Sequence, residues 1–241
     1  MRITVDHRAR YTFDAAQPRL VLMLRLNPQD GHDQTVCNWH VGVDCDARMR
    51  ETRDGFGNRV TMLYAPGPID AVEVHVTGEV LTADGNGIVG GAWEPLPPVL
   101  FQRASPLALA APAILELAAG LAEHDAIERL HLLNLGVRDR AAETRSAGDL
   151  AHDLIAAARS LGVPARYIAG FRAAEGRTQP HAWAEAHVDG LGWIALDPSR
   201  GVCADDSYVR VAVGLDAATA APIAGPRLVA EPPAAMRQGQ G

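Results

Sequence analysis

Ser146-Ala-Gly-Asp-Leu-Ala-His-Asp-Leu-Ile-Ala-Ala-Ala-Arg-Ser-Leu-Gly-Val-Pro-Ala-Arg166 decides how the chain is read. Its apolar residues fall at Ala147, Leu150, Ala151, Leu154, Ile155, Ala158 and Leu161. Spacings of three and four put them on one face of a helix. Ser146 with Asp149 three residues on forms a capping-box pattern, so the helix begins at Ala147. Gly162 ends it and Pro164 forbids its continuation. The amino end of such a helix presents free N–H groups and a partial positive charge. A cysteine at 147 would have a depressed pKa and act as a nucleophile. The residue there is alanine.

Outward from this helix, the 241 residues suffice for two modest domains or one large one, and 48% hydrophobic content supports a real core. A net charge of −7 argues against nucleic acid or an anionic membrane as a main partner. All 22 basic residues are arginine, so the chain has no lysine amine to crosslink to itself. The amino terminus carries charges where a signal peptide needs an apolar stretch. The apolar run Leu107–Ala122 is interrupted by Pro112 and Glu116 and is too short to span a bilayer. Cys37, Cys45 and Cys203 are scattered, without a CxxC spacing, which suggests neither a disulfide framework nor a zinc knuckle. The expected location is cytoplasmic, with no cofactor; the oligomeric state is not legible.

Residues 1–90 alternate apolar and polar in short runs, around Ile3–Ala9, Leu20–Arg25, Val36–Val43 and Val72–Thr77. Turn signals at Asp30-Gly31, Asp54-Gly-Phe-Gly-Asn58 and Asp84-Gly-Asn-Gly87 separate them, predicting an antiparallel sandwich-like domain. Cys37, Trp39 and His40 share one run and read as a buried cysteine and tryptophan beside a surface histidine. Residues 91–105 are rich in Gly and Pro and read as a linker. Residues 106–216 combine helices at Leu107–Leu121, Asp125–Leu133 and from Ala147 with strands at Ala165–Phe171, His181–Val188, Gly192–Leu196 and Tyr208–Val213. That order predicts an α+β domain. Residues 217–241 read as a C-terminal segment and loose tail.

His181-Ala-Trp-Ala-Glu-Ala-His187 carries the chemistry. Strand alternation puts His181, Trp183, Glu185 and His187 on one face and Ala182, Ala184 and Ala186 on the other, where a helix can pack. A hairpin centred on Gly190 would set Asp197 opposite Trp183 and diagonal to His181. Diagonal neighbours lie roughly 7–8 Å apart at Cα, within reach of a carboxylate–imidazole contact. A one-residue slip would send Asp197 to the wrong face. A carboxylate that orients a histidine makes it a general base for a nucleophile, which the helix at 147 is placed to supply. On spacing alone a purely structural His–Asp pair is the commoner outcome. His181, Glu185 and His187 could also ligate zinc.

The same residues resemble the bacterial transglutaminase-like superfamily, whose core is papain-like. There the helix begins Gly-Val-Cys-Gln-Asp-Phe-Ala-His and runs to Leu-Gly-Ile-Pro-Ala-Arg; Arg145–His152 and Leu161–Arg166 have that spacing here. The family's His-Ala-Trp-Val-Glu is matched by His181–Glu185, and Gly-Trp-Ile-Gly-Phe-Asp-Pro-Thr by Gly192–Ser199. Val209–Gly214 resembles the strand that follows, and Leu24–Pro28 and Arg53–Asn58 resemble the family's N-terminal domain. The resemblance implies acyl transfer on a peptide or protein amide through a thioester. His181 would be the base, Asp197 its orienting partner, and Ala147 would hold the nucleophile position. Trp183, Asp149 and His152 would line the substrate cleft. Loss of a triad nucleophile costs on the order of a million-fold in turnover in a serine protease, so the chain as written is expected to be inactive. Ser146 is better explained as a cap, and Cys203 sits in a loop after Asp197. The alanine is either an engineered inactivation or a natural change that leaves a pseudoenzyme binding peptide in the same cleft. Metal-dependent hydrolysis is a third possibility.

Overall fold

The computed structural model describes residues 1–225 and the strand Leu228–Ala230. Two antiparallel sheets and three helices build an α+β architecture, in line with the sequence. The first sheet contains β1 (Arg2–Asn27), β2 (Gln34–Val43), β3 (Arg48–Arg53) and β4 (Arg59–Thr82). In place of several short strands, β1 and β4 run 26 and 24 residues and pair along nearly their whole length. The short apolar runs are separate segments of these long ribbons, divided by register shifts between Thr12 and Arg19. Their inward residues, including Ile3, Val5, Leu20, Leu22, Leu24, Val74 and Val76, form an apolar core.

The second sheet runs in the order β10 (Tyr208–Gly214), β6 (Ala165–Ala174), β7 (Arg177–Val188), β8 (Gly192–Asp197) and β5 (Ile88–Val89), with β9 (Val202–Cys203) on β8. Its edge strand β5 comes from the residues before the Gly/Pro-rich stretch. Conversely β11 (Ile223–Ala224) and β12 (Leu228–Ala230) return to pair with β1 in the first sheet. The stretch 91–105 is folded as well: a 3-10 turn at Pro98–Gln102 buries Phe101 against Trp183 and Trp193. Residues 231–241, most of the expected loose tail, lie outside the described residues.

Helix α1 (Pro112–Gly120) starts five residues later than the apolar run suggests. Pro112 fits the first helical turn but forces Ala111 into an extended conformation, so Leu107–Ala111 cannot join it. Helix α2 (Ala126–Asp139) begins at its Asp125 cap and outlasts its expected end by six residues. Helix α3 spans Ala147–Ser160, and Gly162 adopts φ +75° behind it. Its buried face, Leu150, Ala151, Leu154, Ile155 and Ala158, packs on Ala165, Tyr167, Ala184, Ala186 and Leu196 of the second sheet. The small alanines let the helix approach that sheet closely. No helix among the described residues is long and apolar enough to cross a membrane.

The two sheets share a core in which Phe171, Val209 and Val211 join the apolar residues of β1 and β4. Strand β10 pairs with β6 on one side, and two side-chain amides, one from β2 and one from the β3–β4 turn, cover its other edge. Gln34 Nε2 donates to Arg210 O at 2.9 Å while Arg210 N donates to Gln34 Oε1 at 2.8 Å. Asn58 does the same at Val213, with both bonds 2.8 Å long. Each amide takes the place of a neighbouring strand, which satisfies an edge that would otherwise be open. In the Cys37-Trp39-His40 run the histidine is exposed as expected, but Cys37 is exposed and Trp39 only partly buried. Trp39 packs near Phe171 and donates its indole N–H to Leu26 O.

Candidate active site

The β7–β8 hairpin has the expected register. Ala184 pairs with Leu196 and Val188 with Gly192, which centres the turn on Gly190 and puts Asp197 opposite Trp183. Asp197 is fully buried, and His181 Nε2 lies 2.7 Å from its Oδ2. Three further donors hold the carboxylate. Tyr208 Oη donates to Oδ2 at 2.6 Å, and Ser199 N and Oγ donate to Oδ1 at 2.9 and 2.6 Å. Burial pushes this carboxyl up, but the hydrogen bonds from His181, Ser199 and Tyr208 outweigh it and hold Asp197 below the usual range. Burial and the Asp197 charge raise the Tyr208 phenol, which therefore stays a proton donor; Arg200 Nη1 donates to its oxygen at 3.1 Å. With Nε2 committed to Asp197, Nδ1 of the partly exposed His181 has no partner among the described residues. A fixed tautomer with one free nitrogen is what a general base needs.

Strand alternation turns His181 and Trp183 toward Tyr208, and turns Ala182 with its partner Ala169 toward the α3 cluster. Trp183 is 2% exposed. It lies behind His181 in a stacked contact at 6.3 Å between centroids. Its Nε1 has no hydrogen-bond partner among the described residues, and the residue lines a small cavity of about 40 Å³ together with Asp33, Glu185, Tyr208 and Arg210. Glu185 is fully buried and saturated: Arg166 Nε donates at 2.6 Å and Arg210 Nε at 2.7 Å. Burial would raise this carboxyl, but the two guanidinium charges lower it. Two guanidinium groups already neutralise this carboxylate, and among the described residues no three His, Cys, Asp or Glu side chains are grouped to hold a metal.

At the amino end of α3 the capping box is complete. Asp149 N donates to Ser146 Oγ at 3.1 Å, Ser146 N donates to Asp149 Oδ2 at 3.0 Å, and Ser146 Oγ donates to the same oxygen at 2.7 Å. Those bonds hold the Asp149 carboxyl below its ordinary range and occupy the Ser146 hydroxyl. Ala147 and Gly148 follow as the first helical residues, both partly exposed. His152 stacks on Tyr167 at 4.8 Å and accepts a 3.0 Å hydrogen bond from Ala217 N at Nε2. Burial lowers its pKa despite nearby Asp216, Asp149 and Asp153, which suits an accepting, neutral ring. Cys203 is half-buried in β9, where burial and the charge of Asp84 raise its thiol. Both effects disfavour the reactive thiolate.

Sequence reasoning missed Ser199, Arg200, Tyr208 and Tyr167. Asp197-Pro198-Ser199 is a local Asx-type pattern and could have suggested Ser199. Tyr208 arrives from another strand across the sheet, and no spacing predicts that.

Residues 3–81 match the family described as the bacterial transglutaminase-like N-terminal region, and residues 141–198 match the transglutaminase-like superfamily core. An uncharacterized protein of Mycobacterium leprae is 34% identical over 87 residues, a stretch covering 32% of this chain and only 30% of that protein. A crystal structure from Cytophaga hutchinsonii, described as a candidate cysteine protease, aligns with a TM-score of 0.66 at 18% identity over 96% of this chain and 89% of that one. The periplasmic domain of TgpA from Pseudomonas aeruginosa aligns over 80% of this chain and 90% of that one, with a TM-score of 0.37 at 16% identity. The two family matches together span more than half of the residues, so this chain belongs to the bacterial transglutaminase-like superfamily.

Proposed function

We propose that this chain retains the acyl-transfer site of a transglutaminase-like cysteine peptidase or amidase in all but its nucleophile, and that it binds peptide or amide ligands without turning them over. The observation that carries this reading is the His181–Asp197 pair. A buried carboxylate with four donors is costly to assemble, and here it orients a histidine whose second nitrogen is left free. In the reading, His181 is the base, Asp197 orients it, and Ala147 occupies the nucleophile position at the head of α3. A methyl group cannot attack an acyl carbon. Asp149 and His152 border the cleft through the cap and the Tyr167 stack, and Trp183 supports His181 from behind. The first sheet braces the strands that carry the pair. The three free thiols suit a reducing compartment.

Departures from the family pattern at Ser146, Ala147 and Gly148 together favour a natural loss of the nucleophile over a single engineered change. Gly148 adds its own support: a Cβ there would lie 2.7 Å from Tyr167 Oη. The side chain that the family carries at this position therefore does not fit beside Tyr167 as it now sits.

The test is the alkylation rate of an Ala147→Cys variant against pH, with Ala147→Cys/His181→Ala beside it. Rapid labelling below pH 7 that depends on His181 is expected, because a thiolate–imidazolium pair forms well below an ordinary thiol pKa of about 8.5. Labelling no faster than an exposed thiol, or unchanged by the His181 substitution, overturns the reading.

A further inference from the structure

The head of α3 holds more hydrogen-bond donors than its own residues can use. The cap serves the N–H of Asp149, and Leu150 N bonds back to Ser146 O. The N–H groups of Ala147 and Gly148 point out of the first turn without an intrahelical acceptor. A third donor meets them from the sheet below. Tyr167 is 6% exposed, and its Oη comes within 2.7 Å of where a Cβ on Gly148 would stand. Cβ bonds tilt toward the amino end of a helix, so the phenol sits beside the first turn. The phenol has no hydrogen-bond partner among the described residues. Burial, with Asp149 and Asp216 nearby, pushes its pKa up to about 12, so it keeps its proton. The one carboxylate in this turn, Asp149, is bound back onto Ser146.

A thiolate at position 147 would place a negative charge in this donor field. The alanine removes that charge and leaves the N–H groups, the helix dipole and the buried phenol in place. We propose that the head of α3 is a carboxylate-binding site, formed by the N–H groups of Ala147 and Gly148 with Tyr167 Oη, and that its ligand is the C-terminal carboxylate of a peptide. The ligand's oxygen fills the place of the missing sulfur charge. The inference rests on the reading of this end of α3 as the cleft of an acyl-transfer site. It specifies the ligand as an acid, the form an amide hydrolase would release.

The test uses the full chain and three probes: an N-acetylated alanine dipeptide with a free carboxylate, the same dipeptide as its carboxamide, and acetate. Binding is read by titrating the backbone amide resonances of Ala147 and Gly148. The acid is expected to shift both and to saturate, while the carboxamide and acetate bind at least tenfold more weakly. Tyr167→Phe removes the donor and keeps the ring. Gly148→Ala keeps the phenol but forces it out of position. Each should weaken the acid at least about tenfold, the worth of a hydrogen bond to a charged acceptor. Equal binding of acid and carboxamide, no response at tens of millimolar acid, or full affinity in both variants overturns the site. Acetate binding as tightly as the dipeptide overturns the peptide assignment. The labelling experiment is independent: slow labelling of Ala147→Cys with an intact carboxylate response sinks only the catalytic ancestry, and the reverse pattern sinks only this inference.

Discussion

Asn58→Ala should destabilise the second sheet although Asn58 lies in the β3–β4 turn of the first. The residue is 1% exposed, and its amide donates to and accepts from Val213 in β10, with a third bond from Nδ2 to Asp54 Oδ2 at 3.0 Å. Truncation leaves the Val213 N–H and C=O facing a small void. Each buried backbone group stranded in this way costs about 1–3 kcal/mol, so the pair implies roughly 3–4 kcal/mol. That is a large part of the 5–15 kcal/mol that usually separates folded from unfolded chains. The measurement is urea unfolding followed both by far-UV circular dichroism and by tryptophan fluorescence. Trp39 reports on the first sheet, and Trp183 and Trp193 on the second. Both probes should shift together to lower urea, because β10 lies between the two cores. A loss below about 1 kcal/mol, or a shift confined to one probe, would refute the claim that the amide stands in for a strand.

Glu185→Gln should be at least as damaging: it strands the guanidinium groups of Arg166 and Arg210 around a neutral amide, and breaking a buried ion pair from one side costs about 3–5 kcal/mol. A melting temperature within a few degrees of the parent would contradict this. The depressed pKa of His152 implies a stability term that is fully present above its unfolded value of about 6.5 and is lost as pH falls from there toward the folded value. Unfolding free energy measured between pH 8 and pH 5 should therefore decline on acidification. His152→Gln, which can still accept from Ala217 N but does not titrate, should flatten part of that slope. An unchanged slope would remove His152 as the source.

Local signals carried the parts of the fold that local physics governs. The start of α3 was legible because the Ser146–Asp149 box and the 3–4 apolar spacing agree, and the β7–β8 register was legible because Gly190 leaves one centre that keeps Asp197 on the His181 face. Two failures have a common cause. Strands β1 and β4 read as fragments because polar interruptions such as Asp14 and Asp70 look like ends; they fall where the register shifts, and long-range pairing on both sides of the shift keeps each ribbon continuous. The stretch 91–105 read as a linker from its Gly and Pro content. Its anchors, Phe101 under Trp193 and Glu94 bonded to Arg166 and Trp193, depend on partners about 70–100 residues away, which no sequence window contains.

The same long-range contacts bear on why His181, Asp197 and Glu185 coexist with Ala147. Glu185 lies four residues from His181 on one strand, and Arg210 two residues from Tyr208 on another. The Glu185–Arg210 ion pair therefore fixes β7 against β10 beside the Tyr208–Asp197–His181 chain. Asp197 also accepts the N–H groups of Arg200 and Gly201 at its backbone oxygen, which shapes the turn leading into β9. Losing any of these residues would leave buried charges or donors unpaired and penalise folding directly. Losing a thiol at the partly exposed head of α3 strands no buried charge; it leaves only the Tyr167 phenol and the first N–H groups of the helix without an acceptor. If catalysis ceased to be selected, position 147 would drift first while the His–Asp pair persisted for its structural value. The pH-dependent labelling of Ala147→Cys separates a site that kept its chemistry from one kept for folding, because a pair retained only for folding has no reason to lower the pKa of a thiol placed at position 147.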